Sequence, residues 1–349
     1  MPESLEITPS EYLPLPSRIY VADILGFTDQ FFDIKLNPHW KEVEAESFTW
    51  FKTYGILTGR RNQALENSGI GQLGALVYPE ADLLHLRPPM DFLIWLFAFD
   101  DMFDEGDLRG DVHGTHMVID NAMDVLRNPD TAKPNSKAVT ALHDVFNRMR
   151  WDASQATSDR FIRTAELYMN AILQQNVRRA AGSIPTVQEW IKLRRDVGAV
   201  QLCFAVLEYS LGLDIPDQVH SDPVIFELEL AANDIIAWTN DIYSFPAEYA
   251  QGDPQSLVFV YMCNERTDLQ SAVNHVEQLV RERTRQYVDA KSRLPSFGPK
   301  LDPQIARYAQ GLEYWVQGSA HWTFTSPRYF GADGEKVRST GVLDITGPM

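Results

Sequence analysis

Cysteine is nearly absent: Cys203 and Cys263 are the only two in 349 residues. A disulfide framework and a cysteine-built zinc site are both excluded by that count and spacing, and a reducing, cytoplasmic setting is expected. Basic residues are also few, with 31 Lys and Arg against 48 Asp and Glu, a formal net charge of −17. Such a field repels phosphate backbones and anionic lipid headgroups, which argues against a nucleic-acid partner. No apolar run is long enough to span a bilayer, the stretch Phe92 to Phe99 being far short of the required length, so stable membrane insertion is not expected. The start "MPESLEITPSEYLPLPSR" has neither the basic opening nor the apolar stretch of a secretory signal. Alternating, strand-like segments are scarce as well.

What is present is helical periodicity. "RFIRTAELYMNAILQQNVRRAA", "VQEWIKLRRDVGAVQLCFAVLEYSLGL", "VIFELELAANDIIAWTNDIYSF" and "LQSAVNHVEQLVRERTRQYVDAKSRL" all repeat apolar residues every three to four positions. The fold class is therefore all-α, read as one domain over 1–349, with loose ends expected at about 1–20 and 331–349. Pro88 and Pro89 suit the first turn of a helix running through "MDFLIWLFAFDDMF". Nothing in the sequence separates a monomer from a homodimer.

That helix ends in acids. Residues four apart on a helix lie about 40° apart around the axis, so Asp100 and Asp104 project together, with Asp101 and Glu105 as the adjacent pair. Like charges so placed repel, and acids at a helix C-terminus oppose its dipole. An EF-hand loop does not fit, because its third position would be Met102 or Phe103, where an oxygen ligand is needed. Further on, "WTNDIYSFPAE" sets Asn240, Ser244 and Glu248 at i, i+4 and i+8, three hard oxygen donors on one stripe. Such donors suit Mg²⁺, which accepts one or two carboxylates beside waters and phosphate oxygens. Pro246 should distort the helix before Glu248. Either stretch alone also fits a solvated polar helix end; two of them, each closing an apolar helix, point to a shared metal site.

The chain resembles the class I terpene synthases, in particular the sesquiterpene synthases of mushroom-forming fungi. "LNPHWKEVEAESFTWF" resembles that family's N-terminal segment, "DDMFDE" its aspartate-rich motif, "NDIYSFPAE" its Asn/Ser/Glu metal motif and "SPRYF" its C-terminal Arg-Tyr pair, in the family's order. The resemblance implies a helical bundle enclosing a deep apolar cavity, three Mg²⁺ at its mouth and a linear isoprenyl diphosphate as substrate. It implies Asp100, Asp101 and Asp104 as one metal set, with Asp100 the first-choice ligand and Asp101 and Asp104 as acids that support it or hydrogen-bond arginines on closure, and Asn240, Ser244 and Glu248 as the second. Counting back 46 positions from Asn240, it places the diphosphate sensor at Arg194 rather than Arg195, the linker at Val197 and the effector, where the helix breaks, at Gly198. Arg328 and Tyr329 complete the diphosphate contacts. Many relatives carry Lys where this chain has Ala247.

For the apolar wall the expected aromatics are Phe92, Phe99 and Trp315, chosen over Trp95 and Trp322. The expected activity is ionisation and cyclisation of farnesyl diphosphate with release of diphosphate. Two alternatives stand beside it: a chain-elongating prenyltransferase, which would carry a second aspartate-rich motif that this sequence lacks, and a non-enzymatic helical scaffold.

Overall fold

Helix starts along this chain carry the side chains that cap them. The computed structural model describes residues 15–104, 106–252 and 255–346. In chain order these form β1 (Arg18–Tyr20), α1 (Ile24–Thr28), α2 (Trp40–Tyr54), α3 (Gly59–Glu66), α4 (Ile70–Val77), α5 (Leu83–Asp104), α6 (Val112–Arg127) and α7 (Lys137–Arg150). There follow α8 (Gln155–Ala181), α9 (Val187–Val197), α10 (Val200–Ser210), α11 (Asp217–His220), α12 (Pro223–Ala250), α13 (Leu257–Glu265), α14 (Leu269–Ser292), α15 (Asp302–Thr325), α16 (Pro327–Phe330), α17 (Gly334–Thr340) and β2 (Val342–Asp344). Ser154, Asp222 and Asp268 each accept a backbone N–H at the head of α8, α12 and α14, and Thr186 with Glu189 makes a reciprocal capping box on α9. The all-α class read from the sequence is the observed one.

The bundle is built around α12, whose middle turns are buried on every side against α9, α10, α14 and α15. Across from it α5 is enclosed by α2, α4, α7 and α10, which explains why its sequence is apolar all round rather than striped. These two long helices carry the two oxygen-rich motifs.

Two expectations are corrected. α5 starts at Leu83, not at the prolines, because Asp82 caps it by accepting the N–H of Leu84 at 3.0 Å and of His85 at 2.9 Å. Pro88 and Pro89 thus sit in its second turn, and the carbonyls they leave without donors belong to the first turn, where Leu84 is exposed. The chain ends, among the described residues, are not loose: β1 and β2 pair antiparallel, with Ile19 opposite Leu343, both buried, and Arg18 paired to Asp344 at 2.8 Å. Gly341, at φ 67°, turns the chain between α17 and β2 and accepts the Val21 N–H at 2.7 Å. The rest of the expected loose ends, residues 1–14 and 347–349, and Glu105 of the acidic motif lie outside the described residues.

Candidate active site

α5 and α12 deliver their oxygens to one place. Asp100, Asp101 and Asp104 from α5, and Asn240, Ser244 and Glu248 from α12, all line a single cavity of about 910 Å³, a volume in the range of small-molecule sites. Pro246 does not end α12, which continues to Ala250, so Glu248 keeps its place two turns beyond Asn240. Asp100 receives the Tyr168 hydroxyl at 3.2 Å, and burial, then the charges of Asp104 and Asp101, push its carboxyl up to about 8. Glu248 is likewise pushed up to about 8, by burial first and by Asp241 second.

Arginines hold the other acids. Arg328 of α16 reaches Asp101 at 3.1 Å across the cavity mouth and lies 5.2 Å from the Phe97 ring. Arg179, near the end of α8, donates to Asp104 at 2.7 Å and to the Phe103 carbonyl at 3.2 Å. Arg194 donates from Nη2 to Asn240 Oδ1 and from Nε to Asp241 Oδ1, both at 2.6 Å. Asn240 in turn donates its amide to the Tyr329 hydroxyl at 2.9 Å. Asp241 is buried and also receives the Trp190 indole and the Leu257 N–H, so it fixes Arg194 from behind. Arg195 points elsewhere: both ends of its fork bind Asp234 at 2.7 and 2.8 Å, away from the cavity.

Between α9 and α10 the helix is interrupted at Gly198 and Ala199. Gly198 ends α9 with its N–H on the Arg194 carbonyl at 3.1 Å, and Ala199 takes the left-handed conformation at φ 55°. A Cβ on Gly198 would stand 3.1 Å from that carbonyl and 3.3 Å from Arg194 Nη1, so the residue lets the guanidinium lie close to the break. Val197 and Gly198 both line the cavity.

The aromatic wall differs from the expected one. Trp315 lines the cavity, but Phe92 and Phe99 do not: they are fully buried on the other side of α5, in a packed layer where Trp95 stacks on Phe99 at 4.7 Å and Phe92 meets Phe161 edge-on. The cavity rings are Phe97, Tyr168, Trp190, Trp315, Trp322 and Tyr329. Phe97, Leu96 and Leu93 lie three, four and seven residues before Asp100, the stripe its own position defines, and that spacing would have found them. Arg179 and Asp241 were also missed. Asp241 stands inside the Asn/Ser/Glu motif, whereas nothing local marks Arg179.

The donors fit a divalent cation. Glu248 Oε2 is buried without a hydrogen-bond partner, Asp100 takes its hydrogen bond from a phenol and not from a cation, and Ser244 Oγ, which donates to the Asn240 carbonyl at 2.8 Å, keeps its lone pairs. Among the described residues no three carboxylate, imidazole or thiol side chains converge on one point. The set is one carboxylate per wall with an amide and a hydroxyl, the oxygen-only, incompletely filled kind that Mg²⁺ accepts when water and phosphate supply the rest.

A family model described as terpene synthase family 2, C-terminal metal binding, matches residues 91–286. Sesquiterpene synthase Agr1 of Cyclocybe aegerita is 37% identical over 328 residues, covering 94% of this chain and 93% of that protein. The alpha-muurolene synthase of Coprinopsis cinerea is 32% identical over 349 residues, 97% of this chain and 81% of that one. Among solved structures, the SVS_A2 protein from ancestral sequence reconstruction superposes with a TM-score of 0.77 at 23% identity over 88% of this chain and 90% of its own. The structure of a-eudesmol synthase gives 0.77 at 19% over 84% and 97%. At those identities the structural likeness speaks for the fold alone. The matched model covers Asp100 and Asn240, and with relatives above 30% identity over most of their length the chain belongs to the terpene synthase family.

Proposed function

We propose that this protein is a divalent-metal-dependent terpene cyclase that ionises farnesyl diphosphate and cyclises the resulting cation to a sesquiterpene hydrocarbon or alcohol. One observation carries the reading: two oxygen-bearing helix walls face one apolar cavity at its mouth, with Arg194, Arg328 and Tyr329 between them. Asp100, Asn240, Ser244 and Glu248 would hold the metal, Mg²⁺ in our reading and three ions in number, and bound there it supplies positive charge to the diphosphate.

The chain's own residues do the rest. Arg194 and Arg328 give up their amide and carboxylate partners for phosphate oxygens, and Tyr329 adds a hydroxyl donor. These donors are aimed where negative charge grows as the allylic C–O bond breaks and its electron pair leaves with diphosphate. The cation stays in a cavity walled by Leu93, Leu96, Val200 and Ile236, apolar side chains that offer water no partner. Phe97, Trp315 and Trp322 present ring faces or edges to it, each attractive face being worth about 0.5–2 kcal/mol. Loss of a proton, or capture of one water molecule, ends the sequence.

The purified chain is incubated with C10, C15 and C20 isoprenyl diphosphates with and without Mg²⁺, and the volatile products are read by mass spectrometry. Cyclic C15 products that vanish on chelation and return with Mg²⁺ are expected. Elongated diphosphates would instead identify a prenyltransferase, and no turnover with any chain length would leave a scaffold.

A further inference from the structure

Behind the cavity lies a second hollow of about 260 Å³, lined by Tyr78, Pro79, Leu207, Leu211, Gly311 and Tyr314 and reaching the surface at Ala306, Arg307 and Glu80. The two are neighbours by construction of the helices. On α10, Cys203 lines the larger cavity and Leu207, four residues on, the smaller; on α15, Trp315 lines the larger and Gly311, four residues back, the smaller. Four residues are about one turn, or roughly 6 Å along a helix, so the two hollows lie about one helical turn apart. The wall between them has two rings, Trp315 and Tyr78, packed edge to face with centroids 5.4 Å apart. Tyr78 is held in place by its hydroxyl, which donates to the Cys203 carbonyl at 3.3 Å, and Phe204 backs Trp315 from the side at 6.3 Å. At Gly311 the helices close up so tightly that an added Cβ would fall 2.7 Å from Leu207, which seals the wall's edge.

We infer that the Trp315–Tyr78 pair is a septum that sets the chain length of the substrate, by ending the reaction cavity short of the hollow behind it. This rests on the cyclase reading above. Diphosphate is fixed at the mouth by Arg194, Arg328 and the oxygen donors, so an apolar chain can lengthen only toward the far end, and there it meets the indole. Shortening Trp315 joins the cavities and gives the terminal isoprene unit of a C20 chain somewhere to go.

The test compares the wild-type chain with Trp315→Ala, Trp315→Phe and Ala306→Phe, the last filling the outer hollow from its exposed rim without touching the reaction cavity. Turnover of C15 and C20 diphosphates is measured for each, and binding of the non-ionising C15 and C20 thiodiphosphates is followed by calorimetry. Trp315→Ala is expected to raise the C20-to-C15 ratio by about tenfold or more, the discrimination that small changes in apolar chain length produce. Trp315→Phe keeps a ring against Tyr78 and keeps the C15 preference. Ala306→Phe alone changes nothing, and combined with Trp315→Ala it removes the gain. An unchanged ratio in a folded Trp315→Ala, or a gain that Ala306→Phe does not reverse, overturns the septum. If the alanine variant does not fold, Trp315→Leu is read in the same way. A wild-type chain that turns over no C15 substrate overturns the cyclase reading instead, and the thiodiphosphate binding ratios still decide the septum.

Discussion

Adjacent arginines in "LRRDVGAV" have separate tasks that their chemistry does not distinguish but their partners do. Arg194 is fixed by buried Asp241 and aimed at Asn240, while Arg195 belongs to an ion network in which Asp234 also pairs with Arg283 at 2.9 Å. Arg194→Gln is therefore expected to lower kcat/KM by about 10²–10³, the effect of deleting one aimed donor to developing negative charge, and to lower the melting temperature as well, because buried Asp241 loses its cation. Arg195→Gln should cost stability alone. Asp234 keeps Arg283, so the loss is about 1–3 kcal/mol of stability with activity per folded molecule retained. Steady-state kinetics beside thermal melts on the two variants separate the roles, and equal losses of activity would show that Arg194 has no special place.

At the scale of elements, the break between α9 and α10 depends on two small residues in different ways. Ala199 is in the left-handed region, where a Cβ costs about 1–2 kcal/mol, and glycine's larger loss of chain entropy returns part of that. Ala199→Gly should raise stability by a few tenths to about 1 kcal/mol and leave activity intact. Gly198→Val should lower kcat with a small change in melting temperature, since the new branched side chain crowds the Arg194 carbonyl and guanidinium. The two variants, melted and assayed together, distinguish a strained joint from a merely flexible one. What could be read beforehand follows the same division. Asn240, Ser244 and Glu248 were legible because one helix delivers all three at a fixed period, which the fold cannot rearrange. Phe92 and Phe99 were misplaced because α5 is apolar on every side, so its composition does not say which face meets the cavity; only Asp100 does. The β1–β2 pair was invisible because three-residue strands carry too short a pattern, and their pairing joins opposite ends of the chain.

For the molecule as a whole, the acids that make the chain so negative are not all at the surface. At the base of α10, away from the cavity, His220 Nδ1 donates to Glu229 across 2.6 Å and the ring lies 3.6 Å from Glu208, both glutamates being largely buried. Tyr308 of α15 donates to Glu229 at 2.9 Å, and Arg160 of α8 pairs with Glu208 and, at 2.6 Å, with Asp217. Five helices thus meet on one charge cluster, α8, α10, α11, α12 and α15. Burial alone would lower the imidazole's affinity for a proton, but hydrogen bonds and charge from Glu208 and Glu229 outweigh it and raise His220 from 6.5 to about 9. A folded-state value above the unfolded one means that the protonated ring stabilises the fold. That contribution is complete below pH 6.5, is lost progressively as pH rises toward 9, and is gone above it. A shift of this size corresponds to roughly 3 kcal/mol, a sizeable part of a domain's stability. Chemical denaturation of the wild-type chain between pH 6 and 9.5 should therefore show stability falling across that window. His220→Gln should be less stable at pH 6.5, because Glu229 loses its cation and Glu208 keeps only Arg160, and should lack the slope between 6.5 and 9. A wild-type profile as flat as the variant's would mean that the ring is neutral in the folded protein and that Arg160 alone balances the cluster.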